Sequence, residues 1–215
     1  PAFFRRLRLW SSSALILFSV WLQAQTVSST PTLSDGVYQI SHLAELLLVS
    51  ENSSTTASFE LTADIDASST QHWDYNDDDG DGDRYNDAND ATTLAGNNEG
   101  WPPISTLDGA FKGSFNGNGY TISNLTIRGG NAFSGFFGQI SNAISNTTQR
   151  EIKNLTLGNL NINLSVSAAP PRSAGGLAGE VASDYHTIKN IIVSASNIQG
   201  NVPLGGLVGV YTGSQ

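Results

Sequence analysis

The sequence predicts an all-β fold, a right-handed parallel β-helix (solenoid) with a short N-terminal capping helix. Two short motifs recur in constant order, apolar and polar residues alternate along the recurring segments, and one leucine-rich stretch precedes them where a plug for an open solenoid end belongs.

The elements follow in chain order. Residues 1–24 read as a secretion signal: Arg5, Arg6 and Arg8 precede an apolar run over 14–22, and Ala24 supplies a small residue for cleavage. The run is shorter than the ~20 residues a spanning helix needs, so no membrane span is expected after signal removal. Residues 25–34 read as a linker and 35–66 as the cap with the first strands. Within the cap, 36–40 is a strand, Ser41 caps a helix over 42–48, and strand character resumes over 59–65. Residues 67–104 read as an acidic loop insertion and 105–215 as the repeats. The chain begins at Pro1 and stops just after a repeat signature, so both ends read as cut.

One repeated unit is Ile122-Ser-Asn124-Leu125-Thr-Ile127, then Ile152-Lys-Asn154-Leu155-Thr-Leu157, then Ile188-Lys-Asn190-Ile191-Ile-Val193, with starts 30 and 36 residues apart. The other is Gly135-Phe-Phe-Gly138, Gly176-Leu-Ala-Gly179 and Gly206-Leu-Val-Gly209, at spacings of 41 and 30. Leu160, Ile162, Leu164 and Val166 alternate with Asn161, Asn163 and Ser165, the period of a strand that buries one face. A strand this thin must stack on copies of itself at roughly 4.8 Å. The asparagine of Ile-x-Asn is expected at a turn, its amide bonding to the backbone of the neighbouring repeat and stacking into a ladder. The glycines are expected where the chain bends or strands approach closely.

Tyr38-x-Ile40 with its leucine-rich helix, Leu61-Thr-Ala-Asp-Ile-Asp66, Trp101-Pro-Pro-Ile104, Phe111-x-Gly-x-Phe115-Asn-Gly117-Asn-Gly119-Tyr-Thr-Ile122 and the Gly-Leu-x-Gly units together resemble the GLUG-motif repeat proteins of bacteria. The resemblance covers residues 35–209. It implies a β-helical, secreted or cell-surface chain of adhesin-like or peptidase-linked type.

Eight of the nineteen acidic residues fall between Asp74 and Asp90. So many carboxylates repel unless a hard divalent cation neutralises them, and Asp77-x-Asp79-x-Asp81-Gly82 has the alternation and turn glycine of a calcium loop. Tyr85 and Ala88 occupy the ninth and twelfth positions, so the expected Ca2+ ligands are Asp77, Asp79, Asp81, Asp83 and Asp87. A solvated acidic loop is the competing reading. Trp73 and Trp101 flank this segment and are expected to pack its base rather than present a sugar platform.

The formal charge is −9, and loss of the three signal arginines takes it to −12, which argues against nucleic acid as a partner. Without cysteine there is neither thiol chemistry nor a disulfide. His42, His72 and His186 are widely spread and belong to no zinc motif, and Asp108, Glu151, Glu180, Asp184 and Lys189 form no visible constellation, so no catalytic residue is assigned. Lys153 and Lys189 share a repeat position and read as solvated turn residues. The expectation is a non-catalytic, exported adhesin-like or binding scaffold, for a glycan or a host or cell-surface protein. The alternatives are a polysaccharide lyase or hydrolase, and an accessory repeat region of a larger secreted peptidase.

Overall fold

The computed structural model describes residues 30–51, 56–73, 99–104, 109–128, 132–141, 148–164, 172–183 and 185–213. The stretch read as a secretion signal lies outside them. The fold is mostly β, with parallel sheets and one α-helix among the described residues.

The chain enters as a hairpin. Strands β1 (Thr32–Ser34) and β2 (Val37–Ile40) pair antiparallel around Asp35-Gly36, both in left-handed backbone at φ 50° and 80°. This is the two-residue turn that Asp-Gly favours, and it makes the end of the stretch read as a linker a strand instead. Helix α1 (Leu43–Glu51) follows. Ser41 does not cap it by accepting a helix amide. The Ser41 backbone N–H and hydroxyl both donate to Glu45 Oε2, at 2.7 and 2.9 Å, while the Glu45 amide donates to His42 Nδ1 at 3.4 Å. The helix starts one residue later than the sequence suggests, so the capping position falls on His42.

Strands β3 (Ser58–Leu61), β4 (Ile65–Asp66), β5 (Ser114–Asn116), β6 (Thr121–Ser123), β10 (Arg150–Gly158) and β14 (His186–Ser194) join β1 and β2 in an eight-stranded sheet. Apart from the entry hairpin, every pairing between its strands is parallel. Three further parallel sheets have three strands each. They are β7 (Thr126–Ile127), β11 (Asn161–Asn163) and β15 (Asn197–Gln199); β8 (Phe133–Ser134), β12 (Ser173–Gly175) and β16 (Leu204–Gly205); and β9 (Phe137–Ser141), β13 (Ala178–Ala182) and β17 (Val208–Tyr211). In each the middle strand of the chain is the middle strand of the sheet.

Register sets like side chains beside like. Tyr38, Phe59, Phe115, Ile152 and Ile188 are successive partners, as are Ile65, Ile122, Leu157 and Val193, and Ile127, Ile162 and Ile198. Their inner members are buried in one apolar cluster, which Leu160, Ile162 and Leu164 join as their alternation requires. Val166 lies outside the described residues.

The Gly-x-x-Gly units align as the sequence predicts, Ala178 beside Phe137 and Val208. The Ile-x-Asn units do not. Ile152 stands beside Ile188 but also beside Phe115, and the true neighbour of Ile122 is Leu157, 35 residues on. The cause is a pattern inside each repeat: Ile152-Lys-Asn154-Leu155 is followed five residues later by Leu157-Gly-Asn159-Leu160. Asn154 and Asn159 both take left-handed backbone, φ 54° and 52°. A left-handed residue resets the two-residue alternation, so Ile152 and Leu155, three apart, both face inward. Two corners of the same design sit in one repeat, and matching a first corner to a second yields the shorter spacing.

Candidate functional site

The proposed calcium ligands Asp77, Asp79, Asp81, Asp83 and Asp87 lie outside the described residues, as do Tyr75 and Tyr85. What is described is the base from which their segment leaves. The Gly100 amide donates to the Trp73 carbonyl at 2.9 Å, and the Trp101 amide to the Thr126 carbonyl at 2.7 Å. Trp73 and Trp101 are buried, their rings 6.0 Å apart, and Trp101 stacks on Phe136 at 6.3 Å. Both tryptophans are therefore packing residues, their large apolar area spent on anchoring two chain ends side by side. A short 3-10 turn, Ser68–His72, leads into Trp73, and His72 closes it. Among the described residues no group of three or more His, Cys, Asp or Glu is arranged to hold a metal ion.

Asp66 and Asp64, just ahead of this base, are used by the backbone. Asp66 Oδ1 accepts from Asn124 Nδ2 at 2.8 Å and from the Ser68 amide at 3.0 Å, and these bonds hold its carboxyl below the ordinary range. Asp64 Oδ1 accepts from the Thr121 amide at 2.7 Å.

The charged residues weighed for catalysis are dispersed. Asp108 and Asp184 lie outside the described residues. Glu151 sits on β10 between two ammonium groups, accepting from Lys153 on its own strand and from Lys189 on β14. Those hydrogen bonds, Lys153 first, pull its carboxyl down to about 2. The two lysines do share a repeat position, but they stand in strands rather than turns and each is paired, which corrects their reading as turn residues. Glu180 belongs to a different sheet, on β13, where its carboxylate accepts from Gln139 Nε2 at 2.6 Å and from the Thr212 hydroxyl at 3.1 Å. Each carboxylate links repeats.

His186 is the one histidine drawn into the interior. Its Nε2 lies 3.1 Å from the Gly113 carbonyl, which can only accept, so Nε2 carries the proton and Nδ1 accepts from the Ser183 hydroxyl at 2.8 Å. Burial lowers its pKa, and Arg150 adds to that, against the pull of Gly113. Ser183 is itself buried and also accepts from the Tyr185 amide at 3.3 Å, so this pair fastens β14 to the chain at Gly113.

The asparagines form two ladders rather than one. In the first, Asn190 Nδ2 donates to Asn154 Oδ1 at 2.9 Å, Asn154 Nδ2 to Asn116 Oδ1 at 3.2 Å, Asn116 Nδ2 to Asn118 Oδ1 at 2.5 Å, and Asn118 Nδ2 to the Leu61 carbonyl at 2.8 Å. In the second, Asn159 Nδ2 donates to Asn124 Oδ1 at 2.6 Å, and Asn124 to Asp66. The rungs join amide to amide, where the sequence suggested amide to backbone. Sequence reasoning also missed Glu151 and His186, whose partners lie 38 and 73 residues away. Beside the first ladder a shallow groove is lined by Asn118, Gly119, Asn154, Thr156, Asn190 and Ile192.

No helix among the described residues is long and apolar enough to cross a membrane. No family model matches the chain, and no solved structure matches it. Over 190 residues, 86% of its own length, the chain is 32% identical to halomucin of Haloquadratum walsbyi (strain DSM 16790 / HBSQ001), of which it spans 2%.

Proposed function

We propose that the chain is a segment of an exported, non-catalytic scaffold built as a right-handed parallel β-helix of the GLUG-repeat type, with α1 as its N-terminal cap. The observation that carries this reading is the register: Phe59, Phe115, Ile152 and Ile188 succeed one another in parallel pairing, so each repeat is laid beside the one before it. A fold whose copies are bound to one another by ladders holds its outer face rigid, and that suits a surface on which a glycan or a cell-surface protein docks. The similarity to a stretch of halomucin favours a secreted or surface location. Of the carboxylates weighed for hydrolysis or elimination, the two among the described residues, Glu151 and Glu180, are engaged in joining repeats, which favours binding over turnover.

The acidic segment is the proposed calcium site, with Asp77, Asp79, Asp81, Asp83 and Asp87 as ligands. Support comes from their spacing and from its closed base, where the Trp73 to Gly100 bond already brings the segment's ends together.

A glycan array, run beside lyase and hydrolase assays on the same preparation, tests the function. Retention of one glycan class without product supports the scaffold. Turnover of any polysaccharide by this chain overturns it in favour of a carbohydrate-active enzyme.

A further inference from the structure

The chain contains two Asn-Gly pairs, Asn116-Gly117 and Asn118-Gly119, in succession at the corner between β5 and β6. An asparagine followed by glycine readily loses its side-chain amide, because no β-carbon shields the next backbone nitrogen from the side-chain carbonyl. The fold leaves neither glycine replaceable. A β-carbon on Gly117 would run into the Asn154 carbonyl and Leu155 Cα, and Gly119 holds φ 83°. The asparagines are fixed as well, since Asn118 is itself left-handed at φ 51° and both side chains are rungs of the first ladder.

The close approach that demands glycine also ties up the two nitrogens. The Gly117 amide donates to the Lys153 carbonyl and the Gly119 amide to the Asn154 carbonyl, both at 2.8 Å. The carbonyls they would attack are held too. Asn116 Oδ1 accepts from the Asn118 amide at 3.1 Å and from Asn154 Nδ2 at 3.2 Å, and Asn118 Nδ2 donates to the Leu61 carbonyl at 2.8 Å. Ring closure needs a deprotonated glycine nitrogen brought onto the preceding side-chain carbon, so the bonds to β10 must break first.

We infer that Asn116 and Asn118 form a self-modification site that β10 holds latent, with water as its co-reactant. When β10 lifts, the glycine nitrogen gives its proton to hydroxide and bonds to the side-chain carbon of the asparagine before it. The bond from that carbon to Nδ2 breaks, and ammonia leaves with a proton from water. Water then opens the cyclic imide to aspartate or isoaspartate. Isoaspartate at position 116 adds a backbone atom to β5 and spoils its register with Lys153, so a chain converted while open does not close as before.

The entry hairpin supplies a matched control. Asp35-Gly36 has φ 50° and 80°, against 51° and 83° for Asn118-Gly119, yet the Gly36 amide is tied to no carbonyl of another repeat. The test ages the full chain carrying Asp35→Asn in mildly alkaline buffer, folded and in concentrated urea, and follows each site by peptide mapping with mass spectrometry. Asn-Gly suits this turn as well as Asp-Gly, so the variant keeps the hairpin. In the folded chain Asn116 and Asn118 should convert at least about tenfold more slowly than the amide introduced at position 35, and in urea all three should agree within about threefold. Conversion of Asn116 or Asn118 in the folded chain as fast as at position 35 overturns the inference. So does a position 35 that is as inert as Asn118 when folded, since the left-handed turn alone then gives the protection.

Discussion

Single residues in this chain do jobs that their neighbours in sequence cannot reveal. Asn154 combines a left-handed backbone, φ 54°, with an amide that donates to one repeat and accepts from the next. Replacing it with alanine should cost about 2–3 kcal/mol, the sum of left-handed strain and two lost amide bonds. Asn154→Gly, which keeps the backbone and loses the ladder, should fall between, and urea denaturation of the three proteins orders them. Glu151 makes the acid behaviour of the fold testable. Its folded pKa of about 2 lies below the ordinary 4.5, so its contribution is complete above pH 4.5 and is lost as pH falls toward 2. Glu151→Gln should flatten the fall in Tm between pH 5 and pH 2, and an unchanged slope would assign the acid sensitivity elsewhere. His186 acts at a higher pH with the same sign. Its folded pKa is depressed, so the unfolded chain takes the proton first and stability falls as pH drops below 6.5.

At the scale of elements, close backbone approach decides where a side chain is tolerated. Gly100 shows the requirement most plainly. It holds φ 77° at the base of the acidic segment, and a β-carbon there would run into the Thr126 carbonyl. Gly36 has nearly the same dihedral, φ 80°, with nothing within 4 Å of that position. Gly36→Ala should therefore cost only the left-handed strain, about 1–2 kcal/mol. Gly100→Ala should cost more, because strain and collision add, and it should loosen Trp73 and Trp101, read as a red shift of tryptophan emission. Helix α1 carries apolar residues on much of its surface, and Leu46, Leu47 and Val49 are buried with the strands' apolar side chains. Its short length and weak cap leave packing, not helix propensity, to hold it.

For the molecule as a whole, each repeat leans on its neighbours, so protection should grade along the chain. Strand β10, bonded to β5, β6 and β14, should exchange slowest, and β14 to β17, each paired on one side, faster. Calcium acts at this scale too if the acidic segment binds it. Titration with Ca2+ should release heat and raise Tm, and Asp79→Asn with Asp81→Asn should remove both effects. A chain that gives no heat and no shift against a chelator control has no such site.

The sequence by itself determined the β character, the inward alternation of Leu160, Ile162 and Leu164, and the Gly-x-x-Gly alignment, because these depend on local period and on glycine's missing side chain. It also placed asparagines at corners, since few residues tolerate left-handed backbone. Only the tertiary structure decided which corner meets which. Ile122 has two good partners in sequence, Ile152 and Leu157, and the choice belongs to the register of whole sheets, where Phe115 already occupies the place beside Ile152. The same holds for Glu151 with Lys189, and for His186 with Gly113: a side chain's partner across a sheet is fixed by how far the intervening chain travels, which no short window contains.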